Sequence, residues 1–241
     1  MIDFHSHVLP GIDDGSSDAE ETAGLLREES RQGAQIVVAT PHFYADRVSM
    51  DDFLRRREHS IQKMKDHLEK LSAGRDAFQV PDMRYGAEVY FFPGMGRAEK
   101  LPELCITGTD LVLIELPFVQ WDRLVIRELE DVIRKQKLRI ILAHVERYPA
   151  FQKDTRVFDE VMEMPLTIQL NGGSFLKSRS KRKFCMNMLK EHENVILGSD
   201  THNLVSRTPN LYEARKVIAA KLGQDRLNRI DKLSEKLLSG T

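Results

Sequence analysis

The sequence predicts an α/β fold in which parallel strands form an irregular seven-stranded barrel, related to the eight-stranded (β/α) barrel. Three observations predict this fold. Short apolar runs alternate with longer amphipathic stretches along the chain, which implies parallel strands joined by helical crossovers. The apolar runs are rich in Val, Ile and Leu and almost free of charge, as expected of strands buried on both faces. No Gly-x-Gly-x-x-Gly follows the first run, so nothing indicates a dinucleotide-binding sheet.

The strands are predicted first, from the apolar runs in chain order. Each is four to eight residues long at its apolar core, which is the usual length of a strand. The runs are MIDFH (1–5), QIVVAT (35–40), MRYGAEVY (83–90), DLVLIEL (110–116), RIILAH (139–144), LTIQLN (166–171) and NVILGS (194–199).

The helices are predicted from capping signals and from apolar residues at helical spacing. Ser17 and Glu20 match a capping box at the start of the first helix, and Gly33 is typical of its end. Apolar residues follow a helical period over residues 51–74, which a glycine again closes. Further helices are predicted over residues 121–137, 155–164, 209–222 and 224–238.

Length and composition restrict the class of protein. A chain of 241 residues with 41% hydrophobic and 30% charged residues suits one domain, here expected to span residues 1–241. The net charge of -1 gives no general attraction for nucleic acid or anionic lipid. No apolar run is long enough to cross a bilayer, and the start lacks a secretion signal, so a cytoplasmic protein is expected. Cys105 and Cys185 are too few for a disulfide framework or a thiolate metal site.

Polar residues occur where the predicted strands stop. His5 and His7 end the first strand, and side chains two residues apart on a strand point to the same face. In parallel (β/α) barrels the carboxyl ends of all strands meet at one face, where active sites are built. We therefore expect histidines and carboxylates from the whole chain to converge there. They are His5, His7, Asp14, His42, Glu88, Glu115, His144, Asp200 and His202.

Bound cations are the most economical explanation of such a cluster. A single charged residue at a strand end is usually solvated or paired with a neighbour. A buried group of nine would repel itself or shift its pKa values strongly unless cations neutralised it. Nitrogen and oxygen ligands without thiolate suit Mn²⁺, Fe or Zn²⁺, and nine ligands imply two or three ions. The other three histidines, His59, His67 and His192, fall on predicted helices or helix ends and receive no role.

The motifs around these residues resemble a known superfamily. They are D-F-H-S-H, T-P-H, the glutamates of G-A-E and L-I-E, A-H-V-E-R and S-D-T-H, in that order. This order resembles the polymerase-and-histidinol-phosphatase (PHP) superfamily. Within it, the chain is most similar to the bacterial protein-tyrosine phosphatases of capsule and exopolysaccharide operons. The resemblance covers nearly the whole chain and implies a distorted (β/α)7 barrel of the PHP type.

The resemblance also implies a set of metal ligands and phosphate contacts. Three divalent ions are expected, usually manganese. By motif, the first ion is held by His5, His7, Glu88 and Asp200; the second by Glu88 as a bridge, Glu115 and His144; and the third by Asp14, His42 and His202. Arg147 and Arg207 match the arginines that contact the phosphate.

The expected reaction is hydrolysis of phosphotyrosine by a metal-activated hydroxide, without a phosphoenzyme. The expected partner is a phosphotyrosine protein, such as a bacterial tyrosine kinase with a tyrosine-rich tail. The basic stretch 177–183 (KSRSKRK) is interpreted either as a solvated loop and helix start or as a docking surface for an acidic tail.

Other functions stay open at this point. A small-molecule phosphatase, such as a histidinol phosphatase, would have the same metal ligands and differ only in the loops that face the substrate. A PHP-type nuclease is disfavoured by the near-neutral charge. An amidohydrolase usually carries a lysine at the fourth strand, where this chain has Glu115. A barrel that serves only as a scaffold would have lost ligands, and these are present.

Overall fold

The structure is a computed structural model that describes residues 1–74 and 77–239. Nine strands and eight α-helices are present in the described residues. The strands are β1 Ile2–Ser6, β2 Ile36–Ala39, β3 His42–Phe43, β4 Asp82–Tyr85, β5 Glu88–Tyr90, β6 Leu111–Glu115, β7 Arg139–Leu142, β8 Thr167–Asn171 and β9 Val195–Gly198. The helices are α1 Ala19–Arg31, α2 Met50–Ser72, α3 Arg123–Arg134, α4 Arg156–Met162, α5 Gly172–Lys177, α6 Arg179–Glu191, α7 Leu211–Leu222 and α8 Gln224–Leu238.

All strand pairs are parallel, which confirms the predicted α/β class. One sheet has the order β1-β2-β4 and the other the order β3-β5-β6-β7-β8-β9. The chain passes twice from the first sheet directly into the second, because β3 closely follows β2 and β5 closely follows β4. The seven predicted strands therefore correspond to nine segments, with the second extended by β3 and the third split at Gly86 and Ala87.

Backbone contacts also join the first strand to the end of the last. Ser6 forms a parallel bridge with Thr201, the His7 amide donates to the Thr201 carbonyl at 2.8 Å, and the Asp200 amide donates to the His5 carbonyl at 2.8 Å. Side chains of β1, β2, β6, β7 and β9 meet in one apolar cluster with Leu237 of α8. Strands that are neighbours in a ring and share one interior have the arrangement expected of a barrel.

The helices agree with the prediction except in two places. Asp18, and not Ser17, caps α1, since its carboxylate accepts hydrogen bonds from the amides of Glu20 and Glu21. Ser17 instead donates to the Glu21 carboxylate, so both residues satisfy polar groups at this helix start. The prediction also missed α5 and most of α6, although Ser178 caps α6 within the basic stretch 177–183.

Strand burial follows the prediction with one exception. The strands β1, β6, β8 and β9 are buried along their full length, whereas β4 alternates between exposed and half-buried residues. Among the described residues, no helix combines the length and the apolar character needed to cross a membrane.

Candidate metal centre

The nine predicted ligand residues lie together at the carboxyl ends of the strands. Each has a nitrogen or oxygen atom within 4.0 Å of another member of the group. Asp14 is exposed and His42 is half-buried, whereas the other seven are buried. The structure thus brings into one cluster residues that the sequence spreads over some 200 positions.

Glu88 of β5 lies at the centre of this cluster. Its Oε2 is 3.2 Å from His5 Nε2, 3.3 Å from His7 Nε2 and 2.9 Å from His42 Nδ1. Its Oε1 is 2.8 Å from His144 Nε2. Burial opposes ionisation of Glu88, but the charge of His5 and the hydrogen bond from His144 outweigh it and hold the pKa well below its usual range.

Three groups within the cluster have ligand atoms close enough to share one ion. Within each group these atoms lie within 4.8 Å of one another. The groups are His7, Asp14, His42 and His202; His5, His7 and Asp200; and His42, Glu88 and Glu115. His144 contacts both carboxylates of the third group, since its Nε2 is 3.3 Å from Glu115 Oε1 and 2.8 Å from Glu88 Oε1.

Three of the histidines have one ring nitrogen engaged and the other directed at the cluster. His5 Nδ1 is 3.1 Å from Gln169 Oε1, and His202 Nδ1 is 3.1 Å from the Asp200 carbonyl. His7 Nδ1 is 2.7 Å from the Asp13 carboxylate. A hydrogen bond from Nδ1 leaves Nε2 free as a ligand, which is the usual arrangement around metal-binding histidines.

Positive charge is held on two of the buried imidazoles by nearby carboxylates. Burial lowers the pKa of His7, but Asp13 and Glu88 outweigh it and raise the pKa to about 10. Burial and a neighbouring arginine lower the pKa of His144, but Glu115 and Glu88 raise it to about 9. These imidazoles are therefore protonated at pH 7 unless a cation displaces the proton.

His202 and Asp200 show the opposite tendency. Burial and the charge of His7 lower the pKa of His202 to about 3, which leaves this ring neutral. Burial opposes ionisation of Asp200, but the charges of His5 and Arg147 outweigh it and hold its pKa below the usual range. A neutral imidazole and an ionised carboxylate are the forms in which these side chains bind metals.

Several buried atoms in the cluster have no hydrogen-bond partner among the described residues. They are His144 Nδ1 and His202 Nε2, together with Glu88 Oε2 and His42 Nδ1, which lie 2.9 Å apart but form no hydrogen bond of good geometry. A buried polar atom without a partner costs about 1–3 kcal/mol, so a group of them indicates a missing partner. The donor set of nitrogen and oxygen fits divalent Mn, Fe or Zn, and the residues present therefore fit bound cations.

The backbone is strained at two of these positions. Only three non-glycine residues in the described chain have a positive φ, and they are Lys137, His144 at 32° and Asp200 at 54°. The left-handed region is unfavourable for residues with a Cβ and is found mainly where the surroundings impose it. His144 and Asp200 each lie two residues after the end of a strand, β7 and β9 respectively.

Both predicted arginines lie beside Asp200. Arg147 Nη2 donates to Asp200 Oδ2, and Arg207 Nη2 donates to Asp200 Oδ1 at 2.7 Å. Arg147 lies on the 3-10 turn Val145–Phe151, where its amide donates to the His144 carbonyl at 2.9 Å. Two guanidinium groups at the same carboxylate form a site that an incoming phosphate dianion can share.

A tight loop after β9 fixes Arg207. The Asn203 side-chain oxygen accepts hydrogen bonds from the amides of Val205, Ser206 and Arg207. The Arg207 carbonyl accepts from the His202 amide at 2.8 Å. The loop therefore couples the position of one guanidinium to that of one candidate ligand.

The cluster opens into a cavity of about 620 Å³ with aromatic walls. Tyr44, Tyr90 and Phe118 line it together with Arg147 and Arg207. The rings of Tyr44 and Tyr90 are 5.4 Å apart, and Phe118 stacks on a candidate ligand at 5.9 Å. A cavity of this size with a few convergent polar groups is typical of a small-molecule or side-chain site.

Sequence reasoning gave no role to the residues that position the ligands. Gln169 accepts from His5 and from the His144 amide at 2.7 Å, and donates to Asn171, which donates to Asp200 at 2.7 Å. Gln169 and Asn171 are two apart on β8, so their shared face was the available signal. Asp13 was overlooked because its neighbour in sequence is itself a predicted ligand.

Comparisons with known proteins agree with these observations. The sequence model of one protein family, described as "Capsular polysaccharide synthesis, CpsB/CapC", matches residues 1–237. The tyrosine-protein phosphatase CpsB of Streptococcus agalactiae is 30% identical over 238 residues, which cover 95% of this chain and 94% of the relative. The tyrosine-protein phosphatase YwqE of Bacillus subtilis is 25% identical over 232 residues, which cover 93% of this chain and 86% of the relative.

A solved structure shares the fold over the full chain. It is one of the crystal structures of YwqE from Bacillus subtilis and CpsB from Streptococcus pneumoniae, which are metal-dependent tyrosine phosphatases. The TM-score is 0.83 at 23% identity, with 100% of this chain and 96% of the other covered.

Proposed function

Because this chain belongs to the CpsB/CapC family of capsular polysaccharide synthesis proteins, we propose that it is a metal-dependent phosphatase that hydrolyses phosphotyrosine in proteins. One observation carries the proposal: the cluster of histidines and carboxylates, with Arg147 and Arg207, opens into a cavity walled by aromatic rings. The relatives named as tyrosine-protein phosphatases support the same activity.

Three divalent cations are proposed, with Mn²⁺ first and Fe or Zn²⁺ as alternatives. The short distances around Glu88 and the unpartnered atoms of the cluster support more than one ion. The proposed ligands are His5, His7, Glu88 and Asp200 for the first ion, Glu88, Glu115 and His144 for the second, and Asp14, His42 and His202 for the third.

The residues of the chain orient the phosphate ester. Arg147 and Arg207 bind phosphoryl oxygens, since a guanidinium matches the geometry of phosphate. The rings of Tyr44, Tyr90 and Phe118 contact the phenyl ring of the substrate. Divalent cations held by these ligands would lower the pKa of water and withdraw charge from the phosphoryl group in the transition state.

Attack on phosphorus by water requires no nucleophile from the protein. Cys105 and Cys185 are buried, and burial raises the pKa of both thiols, that of Cys105 to about 12. Neither thiol lines the cavity of the cluster. The phenolate of tyrosine is a good leaving group, with a pKa of about 10, so it needs less help from an acid than an alkyl alcohol.

The physiological substrate is proposed to be a bacterial tyrosine kinase with a tyrosine-rich tail that controls capsule or exopolysaccharide synthesis. The family's role in capsular polysaccharide synthesis supports this partner. We further propose that residues 1–241 form a single domain and that it acts in the cytoplasm.

The proposal is tested by removing and restoring the metal. EDTA-treated protein is expected to lose phosphotyrosine hydrolysis and to regain it with Mn²⁺. Arg147→Ala is expected to lower kcat/KM by about 10²-fold, whereas Arg139→Ala, a surface arginine paired with Asp110, is expected to change it less than twofold. Full activity in EDTA, or loss of activity in Cys185→Ser with its fold intact, would contradict the proposal.

A further inference from the structure

A second cavity lies next to the metal cluster, and apart from Phe118 and Arg147 its lining has no part in the reaction described above. It has a volume of about 760 Å³ and is lined by Phe118, Glu146, Arg147, Phe151, Lys181 and Phe184. We call it the aromatic groove. Its walls come from the turn Val145–Phe151 and from the start of α6, which are not neighbours in sequence.

The aromatic groove is continuous with the catalytic cavity. Phe118 and Arg147 line both cavities. Phe118 stacks on His144 at 5.9 Å, and it contacts the ring of Phe151 at 5.5 Å. The groove therefore starts one aromatic ring away from the metal cluster.

The groove exposes apolar surface that solvent normally disfavours. Phe151 is 42% exposed and is one of five large hydrophobic residues exposed in the described chain. Phe118 and Phe184, which line the groove with it, are half-buried. Exposed apolar side chains that collect beside a polar site usually mark a surface that binds another molecule.

The charges around the groove favour a neutral occupant. Arg147 pairs with Asp200, and its guanidinium is proposed to bind the phosphoryl group in the catalytic cavity. The remaining two charged groups, Glu146 and Lys181, have opposite sign. Glu146 is buried, with Oε1 bound by Ser174 at 2.7 Å and Oε2 without a partner among the described residues. A second phosphate or carboxylate in the groove would be repelled by the carboxylate of Glu146, whereas a neutral ring would not be repelled.

We propose that the aromatic groove binds an aromatic side chain of the substrate protein that flanks the phosphotyrosine. The proposal rests on the proposed phosphotyrosine phosphatase activity and extends it to the substrate sequence. Because Phe118 and Arg147 line both cavities, the bound side chain and the phosphotyrosine are expected to be near neighbours in the substrate sequence. Ring contacts with Phe118, Phe151 and Phe184 supply the preference for an aromatic over an aliphatic residue.

The test is a set of phosphotyrosine peptides in an alanine and serine background. One phenylalanine is placed in turn at each position from four before to four after the phosphotyrosine, and kcat/KM is compared with alanine at that position. We expect a gain of at least fivefold at one or two neighbouring positions, and no gain when aspartate replaces the phenylalanine. A gain below fivefold at every position, or an equal gain from aspartate, would overturn the proposal.

Two variants assign the preference to the groove. Phe151→Ala and Phe184→Ala are each expected to reduce the gain below twofold while hydrolysis of free phosphotyrosine stays within twofold of wild type. Tyr212→Ala removes an exposed aromatic ring on α7, 49% exposed, and is the matched control that should keep the gain. A gain that survives in both groove variants would overturn the proposal. Absence of any phosphotyrosine hydrolysis would instead contradict the proposed function.

Discussion

Single residues that never reach the cavity determine how the metal cluster is arranged. Asp13 is one of them, since its carboxylate accepts from His7 Nδ1 at 2.7 Å and from the His42 amide at 3.0 Å. Its charge also raises the pKa of His7. Carboxylates in this position orient the imidazole and strengthen it as a ligand.

Replacement of Asp13 by Asn is therefore expected to weaken metal binding by about 10–100-fold. The amide keeps the size of the side chain but carries no charge to hold the Nδ1 proton of His7. The measurement is Mn²⁺ affinity by calorimetry, with Asp66→Asn on the exposed side of α2 as the control. Unchanged affinity in Asp13→Asn would show that Asp13 has no part in positioning the ligand.

The raised pKa values of His7 and His144 predict that metal binding releases protons. Without metal, values of about 10 and about 9 mean that both imidazoles carry a proton at pH 7, and each must lose one to bind a cation. Affinity for Mn²⁺ is therefore expected to rise with pH from 6 to 8.5. Calorimetry in buffers of different ionisation enthalpy measures the protons released, and an affinity independent of pH would contradict this explanation.

At the scale of the element, close packing between β9 and β1 supports His5. A Cβ added at Gly198 would lie 2.5 Å from the Cβ of His5 and 2.7 Å from Nε2 of Gln169. Both distances are shorter than real contacts, so alanine must displace the strand or the histidine.

Gly198→Ala is expected to lower the free energy of unfolding by about 1–3 kcal/mol, as overpacking does in other cores, and to reduce Mn²⁺ affinity as well. Gly173→Ala is the matched control, because its nearest neighbour would be Asn210 at 3.7 Å, an ordinary contact. Urea denaturation measures the difference between the two variants. Equal stability of the two would mean that β9 moves freely away from His5.

The elements that the sequence predicted are those with strong apolar patterns. The strands β6, β7, β8 and β9 lie within the predicted runs because each is a short apolar segment between helices. The helix α5 was missed, since it starts with two glycines and is six residues long. The third predicted strand is split at Gly86, where an added Cβ would lie 3.3 Å from Ile106, a residue distant in sequence.

At the scale of the whole molecule, the parallel topology explains how the site assembles. His5 and Asp200 are far apart in sequence, yet the bridge between Ser6 and Thr201 places their strand ends side by side. The nine residues named from the motifs lie together in the structure, because histidines and carboxylates at strand ends are visible in sequence. The shared face of Gln169 and Asn171 on β8 is visible in sequence, but the ligands that these residues orient follow only from the strand pairing that places β8 beside β7 and β9.

The origin of its walls explains why the catalytic cavity beside the metal cluster was not predicted. Tyr44 follows β3, Tyr90 ends β5 and Phe118 follows β6, so the cavity walls come from three separate loops. The substrate is determined by these loops, and the metal ligands alone would serve a small-molecule phosphatase equally well.

The most direct test of phosphotyrosine specificity compares two substrates on one manganese-loaded preparation, a phosphotyrosine peptide and histidinol phosphate. We expect kcat/KM to be at least tenfold higher for the peptide, which corresponds to about 1.4 kcal/mol of transition-state preference. His5→Ala should lose activity on both substrates and so exclude a contaminating phosphatase. A higher kcat/KM for histidinol phosphate would contradict the account and assign the same metal cluster to a small-molecule phosphatase.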